Sequence, residues 1–228
     1  MAATRVVAFD VNETLLDLGP LDPLFEQALG SAALRQTWFS QMLQVAFVGG
    51  LTGRYVDFSS AGRAALEMVA AAQGLELAED AAERITGELR RLPPHPDAEP
   101  ALTRLREAGF RLAALTNSTL EVAREQIQNA GLAHRFDDIL SADQVRALKP
   151  RPEPYHLVAS TYGVEPSGVR LIAAHAWDVS GALAAGCAAA FVRRPGKVPS
   201  PLGDQPDIVG DDLGEVADRI VAVDDEQG

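Results

Sequence analysis

The stretch Val6-Val7-Ala8-Phe9-Asp10-Val11-Asn12-Glu13-Thr14 decides how the rest of the chain is read. Its first four residues are β-branched, small or aromatic, and none is polar. A run this short and this apolar reads as a strand buried on both faces of a parallel sheet. It stops at a carboxylate and passes into a polar segment that reaches Thr14. Alone, Asp10 could be a helix cap. A carboxylate fixed at a strand end can also attack carbon or phosphorus and form an ester. Thr14 could hold its oxygen or cap the turn that follows.

Three further runs are similar: residues 112–115, ending at Thr116-Asn117-Ser118; 169–173, apolar but for Arg170 and ending near His175-Ala176-Trp177-Asp178; and 188–192. Ile208-Val209 opens a fifth. Helical patterns at 98–108, 121–130, 153–162 and 180–185 lie between them, each stopped by a glycine (Gly109, Gly131, Gly163, Gly186). Strand and helix alternate, which predicts an α/β, Rossmann-like parallel sheet with helices on both faces. Polar residues gather just after three strand ends, where an open α/β sheet builds its site.

Residues 17–95 break the rhythm. Helical patterns at 21–29, 32–47, 58–72 and 81–90 precede Pro93-Pro94-His95-Pro96, with few strand signals. This predicts a helical cap, 17–95, inserted after the first strand of a core formed by 1–16 and 96–228. Leaving and rejoining the core near Asp10, it could act as a lid. The acidic tail after Ile220 reads as frayed.

The 228 residues carry a net charge of −12, with 47% hydrophobic and 23% charged residues. That length and composition suit one substantial core plus a small insertion. The acidity argues against nucleic-acid and anionic-membrane partners, because no basic stripe is present. The single cysteine, Cys187, lies in an apolar stretch and reads as a buried small hydrophobe. No Cys/His cluster has zinc spacing. No apolar run approaches the ~18 residues of a membrane span, and the start does not read as a signal peptide, so a cytoplasmic enzyme is expected.

Several polar groups could carry chemistry. Thr116-Asn117 precedes a helix that Ser118 or Thr119 could cap, or Thr116 and nearby amides could hold an anionic group. Lys149 could keep Asp10 ionised. Tyr155 could hydrogen-bond in the site or simply pack. Asp178 could ligate a metal, or orient Lys149 and an attacking water. His175 is either structural or functional.

Taken together, Phe9-Asp10 with Thr14, Leu115-Thr116-Asn117, Lys149-Pro150 and Trp177-Asp178 resemble, in order, the four motifs of the haloacid dehalogenase superfamily. The resemblance covers essentially the whole chain. It is closer still to the type II (S)-2-haloacid dehalogenases, through Ala176-Trp177-Asp178 and the pairing of Lys149 with Tyr155. Trp38, Leu43 and Phe58 fall where that family has apolar pocket residues. The resemblance implies that Asp10 attacks C2 of a small 2-halo carboxylic acid with inversion, and that water then hydrolyses the aspartyl ester to an (R)-2-hydroxy acid. It implies no cofactor. Thr116 and nearby amides would hold the substrate carboxylate, with Val11, Asn12, Phe39, Asn117, Tyr155 and Trp177 also around the substrate. Lys149 would stabilise Asp10, and Asp178 with His175 would position the water.

The chain departs from that family at the leaving-group pocket. Phe39 stands where the family has an arginine, with Arg35, Arg54 and Arg63 as candidates to replace it. Asn12 replaces a tyrosine, His175 an asparagine and Ala173 a serine. Two other readings therefore stand beside dehalogenation. One is a magnesium-dependent phosphatase or phosphonate hydrolase of the superfamily, although Asn12 cannot do the acid–base work of the second aspartate such enzymes need. The other is a non-catalytic binding protein on the same fold. A homodimer through the cap is also open, with Trp38, Phe39, Met42 and Val45 as an apolar surface or as ordinary intrachain packing.

Overall fold

Six parallel strands form the sheet of the computed structural model, which describes residues 6–225. They are β1 (Val6–Phe9), β2 (Arg111–Thr116), β3 (Asp138–Ser141), β4 (Val169–Ala173), β5 (Ala188–Val192) and β6 (Ile208–Gly210). The order is β3-β2-β1-β4-β5-β6, with β1 at the switch point between β2 and β4. Every residue of β1 is buried, as its apolar sequence requires. The register sets Phe9 beside Ala114 and Ile172, so the chain emerging at Asp10 has the β2 and β4 loops on either side.

Helices α1 (Asp22–Leu29), α2 (Leu34–Leu51), α3 (Phe58–Ala72) and α4 (Glu79–Glu88) follow β1 without an intervening strand. The remaining helices are α5 (Ala98–Glu107), α6 (Leu120–Asn129), α7 (Pro152–Tyr162), α8 (Ala176–Ala184) and α9 (Leu213–Asp225). The outgoing and returning connections of the α1–α4 segment lie side by side. Asp17 N donates to Pro93 O at 2.9 Å and His95 N to Leu15 O at 2.8 Å. One apolar cluster runs from Val7 and Phe9 through Leu15, Leu21 and Phe25 to Trp38 and Leu66, so sheet and inserted helices share buried surface.

Three sequence expectations are corrected, and for Trp38, Phe39 and Met42 the intrachain-packing alternative holds. The edge strand β3 was not anticipated: it is four residues long, opens on an aspartate and is half-buried at its start. Helix α8 begins at Ala176 and not near residue 180, with His175 as its N-cap, because Asp178 sits in the first turn where a carboxylate complements the helix dipole. The chain does not fray after Ile220: α9 continues to Asp225, with Ile220 and Val221 buried. The last three residues of the acidic tail lie outside the described residues. Finally, Trp38, Phe39 and Met42 are buried within the chain and do not form an exposed dimer surface. Among the described residues, no helix is long and apolar enough to cross a membrane.

Candidate active site

Asp10 is only 5% exposed, and its two oxygens have separate partners. Oδ1 accepts from Lys149 Nζ at 2.9 Å. Oδ2 accepts from Thr14 Oγ1 at 2.7 Å and faces His175 Nδ1 at 3.0 Å. Burial by itself would raise the pKa of this carboxyl. The Lys149 charge, the His175 contact and the Thr14 hydroxyl outweigh it and hold Asp10 well below the usual carboxylate range. Thr14 also accepts from Ala174 N at 3.0 Å, which ties the β1 loop to the end of β4.

Lys149 is fully enclosed, and its ammonium has three acceptors: Asp10 Oδ1, Asp178 Oδ2 at 2.6 Å and Leu115 O at 2.9 Å. Burial disfavours its charge, but the two carboxylates raise its pKa above the ordinary lysine value. Burial and the nearby Asp10 charge raise Asp178, against the opposing pull of Lys149 and Tyr155. Tyr155 Oη donates to Asp178 Oδ1 at 2.6 Å from the buried face of α7, and burial pushes its phenol well up. Gly181 permits this packing: a Cβ there would stand 2.5 Å from both Tyr155 Oη and Pro150 Cβ. The donor set does not suit a magnesium ion, because the Lys149 ammonium already bridges Asp10 and Asp178 and Tyr155 takes the remaining Asp178 oxygen.

His175, also 5% exposed, is gripped on both nitrogens. Nε2 lies 2.9 Å from Glu13 Oε2 and Nδ1 faces Asp10. The ring is stacked between Phe39 (centroids 5.7 Å, 18°) and Trp177 (5.3 Å, 30°). Burial disfavours the imidazolium, but hydrogen bonds and charge from Asp10 and Glu13 raise its pKa to about 9. A raised pKa contributes stability that is complete below the unfolded histidine value of about 6.5 and is lost as pH rises through about 9. Thermal melts of the wild-type chain are therefore expected to fall between pH 6.5 and 9.5, by roughly 3 kcal/mol at most. His175→Asn should flatten that slope; an unchanged slope in the variant would contradict the pairing.

Asn12 Nδ2 donates to Ser118 Oγ at 3.3 Å, and its Oδ1 accepts from Gln126 Nε2 at 3.0 Å. These three residues floor a cleft of about 530 Å³ whose walls include Phe39, Phe58 and Arg63. On the other side of Phe39, a polar cleft of about 590 Å³ is lined by Glu13, Arg35 and Lys197 among others.

Several residues expected around the substrate make contacts within the chain. Trp38 is fully buried, with Nε1 donating to Gly62 O at 2.9 Å, and packs on Phe25. Leu43 packs against the apolar cluster and does not line the cleft. The Val11 side chain is fully enclosed in the same cluster. The Asn117 amide clamps the Lys149 backbone from both sides, accepting from its N–H at 2.8 Å and donating to its carbonyl at 3.2 Å, so it fixes the lysine loop. Thr116 Oγ1 accepts from Ser118 N at 3.1 Å. Neither Ser118 nor Thr119 caps α6 with its side chain; Thr119 holds the N-cap position without a cap bond. Of the three arginines, Arg54 lines a separate groove, Arg35 pairs with Asp22 and lies 3.8 Å from Glu13, and Arg63 lines the cleft floored by Asn12, Ser118 and Gln126. Cys187 is buried, its thiol pushed up to about 12, which is incompatible with a reactive thiolate.

Glu13 and Gln126 were not singled out from sequence, and Ser118 only as a helix cap. Gln126 had a signal: it is an amide on the buried face of α6 beside Val122, Ala123 and Ile127. Glu13 had none, since only the β1–β4 adjacency brings it to His175.

A family model described as haloacid dehalogenase-like hydrolase matches residues 4–186. Haloacetate dehalogenase H-2 of Moraxella sp. (strain B) is 32% identical, over 91% of this chain and 93% of that protein. (S)-2-haloacid dehalogenase 2 of Pseudomonas sp. (strain CBS-3) is 31% identical, over 95% of each. The solved L-2-haloacid dehalogenase of Xanthobacter autotrophicus with chloropropionic acid covalently bound superposes with a TM-score of 0.88 at 29% identity. The match covers 98% of this chain and 99% of that one.

Proposed function

We propose that this chain, which belongs to the haloacid dehalogenase-like hydrolase family, is an (S)-2-haloacid dehalogenase working through an ester on Asp10. The observation that carries the reading is the state of Asp10: a buried carboxylate at a strand end, kept ionised by Lys149, Thr14 and His175. No acid stands two residues further on to protonate an oxygen leaving group, because Asn12 is there and is bonded to Ser118 and Gln126. A halide needs no such proton.

Asp10 attacks C2 from the side opposite the halogen, and the carbon–halogen bond breaks with its electron pair on the halide. Lys149 balances the carboxylate before attack and the polarised ester carbonyl afterwards. Water adds to the ester carbonyl, and collapse frees the (R)-2-hydroxy acid and restores Asp10. Asp178 acts through Lys149, and Tyr155 fixes Asp178. The helical segment 17–95 acts as a cap over the core of 1–16 and 96–228, and Phe39 carries its contact to His175.

The test is halide release, read by ion chromatography with EDTA present, from both enantiomers of 2-chloropropionate and from chloroacetate and fluoroacetate. Release from the (S) acid and not the (R) acid, lost in Asp10→Ala, is expected. Silence on all four acids, with turnover of phosphate esters on adding magnesium, would overturn the reading.

A further inference from the structure

We infer that the apolar cleft between the end of α2 and the Lys149 loop is the encounter site for the haloacid. Arg146 receives the carboxylate there, and the Phe47–Trp177 ring pair is the wall the acid passes to reach Asp10. This rests on the dehalogenase reading above and names the route by which that site is filled.

The chemistry sits behind closed walls. Asp10 and His175 are almost wholly buried, and Lys149 and Asp178 are fully enclosed. A substrate therefore has to enter through a cleft that borders this centre, and an anionic acid meets a chain with a net charge of −12. The field at each mouth selects the cleft that admits it. The cleft floored by Asn12, Ser118 and Gln126 has Glu67 and Glu83 in its walls, and its Arg90 is already paired with Glu121 and Glu125. In the polar cleft beyond Phe39 the cations are held by carboxylates: Arg35 by Asp22, Arg193 by Asp211, Arg194 by Asp97 and Lys197 by Glu13. A third cleft, of about 630 Å³, is lined by Phe47, Leu51 and Val56 from the cap and by Leu148 and Pro150 from the core. Its lining holds two arginines, Arg146 and Arg151, and no acid.

Arg151 pairs with Glu153, which is not in that lining. Among the described residues no carboxylate pairs with Arg146. Its guanidinium lies over the Tyr55 ring, 4.5 Å from the centroid, and Tyr55 is fixed in turn by donating to Asp143 Oδ1 at 2.5 Å. The Arg146 backbone is left-handed, φ 47°, which a residue with a side chain keeps only when its surroundings enforce it. A cation with free donors thus stands fixed at an apolar cleft, the pattern that receives a carboxylate on a small apolar body. The inner end of the cleft is one layer of side chains from the chemistry. Pro150 follows Lys149 in the chain, and Phe47 packs edge-on against Trp177 with centroids 5.4 Å apart. The centre of the Trp177 ring is 5.9 Å from Lys149 Nζ and 5.3 Å from that of His175. Rotation of the half-buried Phe47 side chain opens this wall without moving the cap.

The experiment is a stopped-flow measurement of (S)-2-chloropropionate binding to Asp10→Asn, which cannot consume the acid, read by tryptophan fluorescence. Association and release rates are compared with Arg146→Glu or Gly50→Phe added. A Cβ at Gly50 meets nothing nearer than Arg151 Cδ at 3.9 Å, so the added ring enters the cleft without a clash. Arg146→Glu is expected to slow association by about tenfold at low salt and by much less at about 0.5 M salt. Gly50→Phe is expected to slow association and release by the same factor, about tenfold, with Kd unchanged, because an obstructed route changes rates and not the equilibrium. Unchanged rates in both variants, or slowing by Arg63→Glu at the other mouth in their place, would overturn the inference alone. So would a weaker Kd with an unchanged association rate, which would make the cleft part of the bound site and not its entrance. If Asp10→Asn does not fold, the product (R)-2-hydroxypropionate on otherwise wild-type chains gives the same comparison with the same outcomes. Failure of wild type to release halide from any of the four acids above would overturn the dehalogenase reading and this inference together.

Discussion

Asp10→Asn is expected to lower halide release by about 10⁴-fold or more while leaving the fold in place. The loss is this large because the substitution removes the atom that forms the ester, and removing a nucleophile leaves only the catalysis that binding and positioning supply. The fold should survive because the amide has nearly the shape of the carboxylate. Thr14 and His175 can still donate to its oxygen, and Lys149 keeps Asp178 and Leu115 O as acceptors. The expected cost in stability is about 3 kcal/mol, or roughly 6–12 °C in Tm for a chain of this length, because the amide N–H₂ takes the place of the oxygen that faces the Lys149 ammonium. Comparing a melt with the halide assay separates a chemical loss from a folding loss.

Lys149→Met is the second large effect, and it falls on stability as well as on activity. Lys149 is the ammonium between two buried carboxylates. Replacing it with an apolar side chain of similar length leaves Asp178 without a counter-charge and Asp10 with His175 alone. Breaking a buried ion pair in this way costs about 3–5 kcal/mol. The pH dependence carries the sign. In the variant the two carboxylates are best accommodated with one of them protonated, so the pKa is raised in the folded state. A carboxyl raised on folding loses stability as pH rises, so the variant's deficit should shrink as pH falls from 7 toward 5. A deficit of the same size at both pH values would contradict the assignment of Lys149 as that counter-charge.

Much of the sheet was legible because its central strands are mostly apolar runs ending abruptly at polar residues: Val6–Phe9 before Asp10, and Val169–Ala173, broken only by Arg170, before His175. The same punctuation located the three loops that meet at Asp10. Strand β3 escaped because an edge strand four residues long, opening on Asp138, has no continuous apolar run to announce it. In the site, Asp10, Thr14, Lys149, His175, Asp178 and Tyr155 come together as one hydrogen-bonded group. Trp38 did not join them. An aromatic on a helix whose apolar residues are spread around its axis can face a pocket or its own core, and only tertiary packing against Phe25 and Gly62 chooses. Asn117 shows a second limit: a polar residue after a strand can serve a substrate or a neighbouring loop, and here the Lys149 backbone takes both ends of its amide. Glu13 shows a third, because its partner, His175, is distant in sequence and adjacent only through the β1–β4 pairing.

The measurement that bears most directly on Asp10 is a single turnover in H₂¹⁸O with enzyme in excess over (S)-2-chloropropionate. Water that attacks the ester carbonyl leaves its oxygen on the aspartate. The peptide containing Asp10 should therefore gain ¹⁸O while the 2-hydroxypropionate carries none. Label in the hydroxy acid, with Asp10 unlabelled, would mean that water attacks C2 itself and that Asp10 forms no ester.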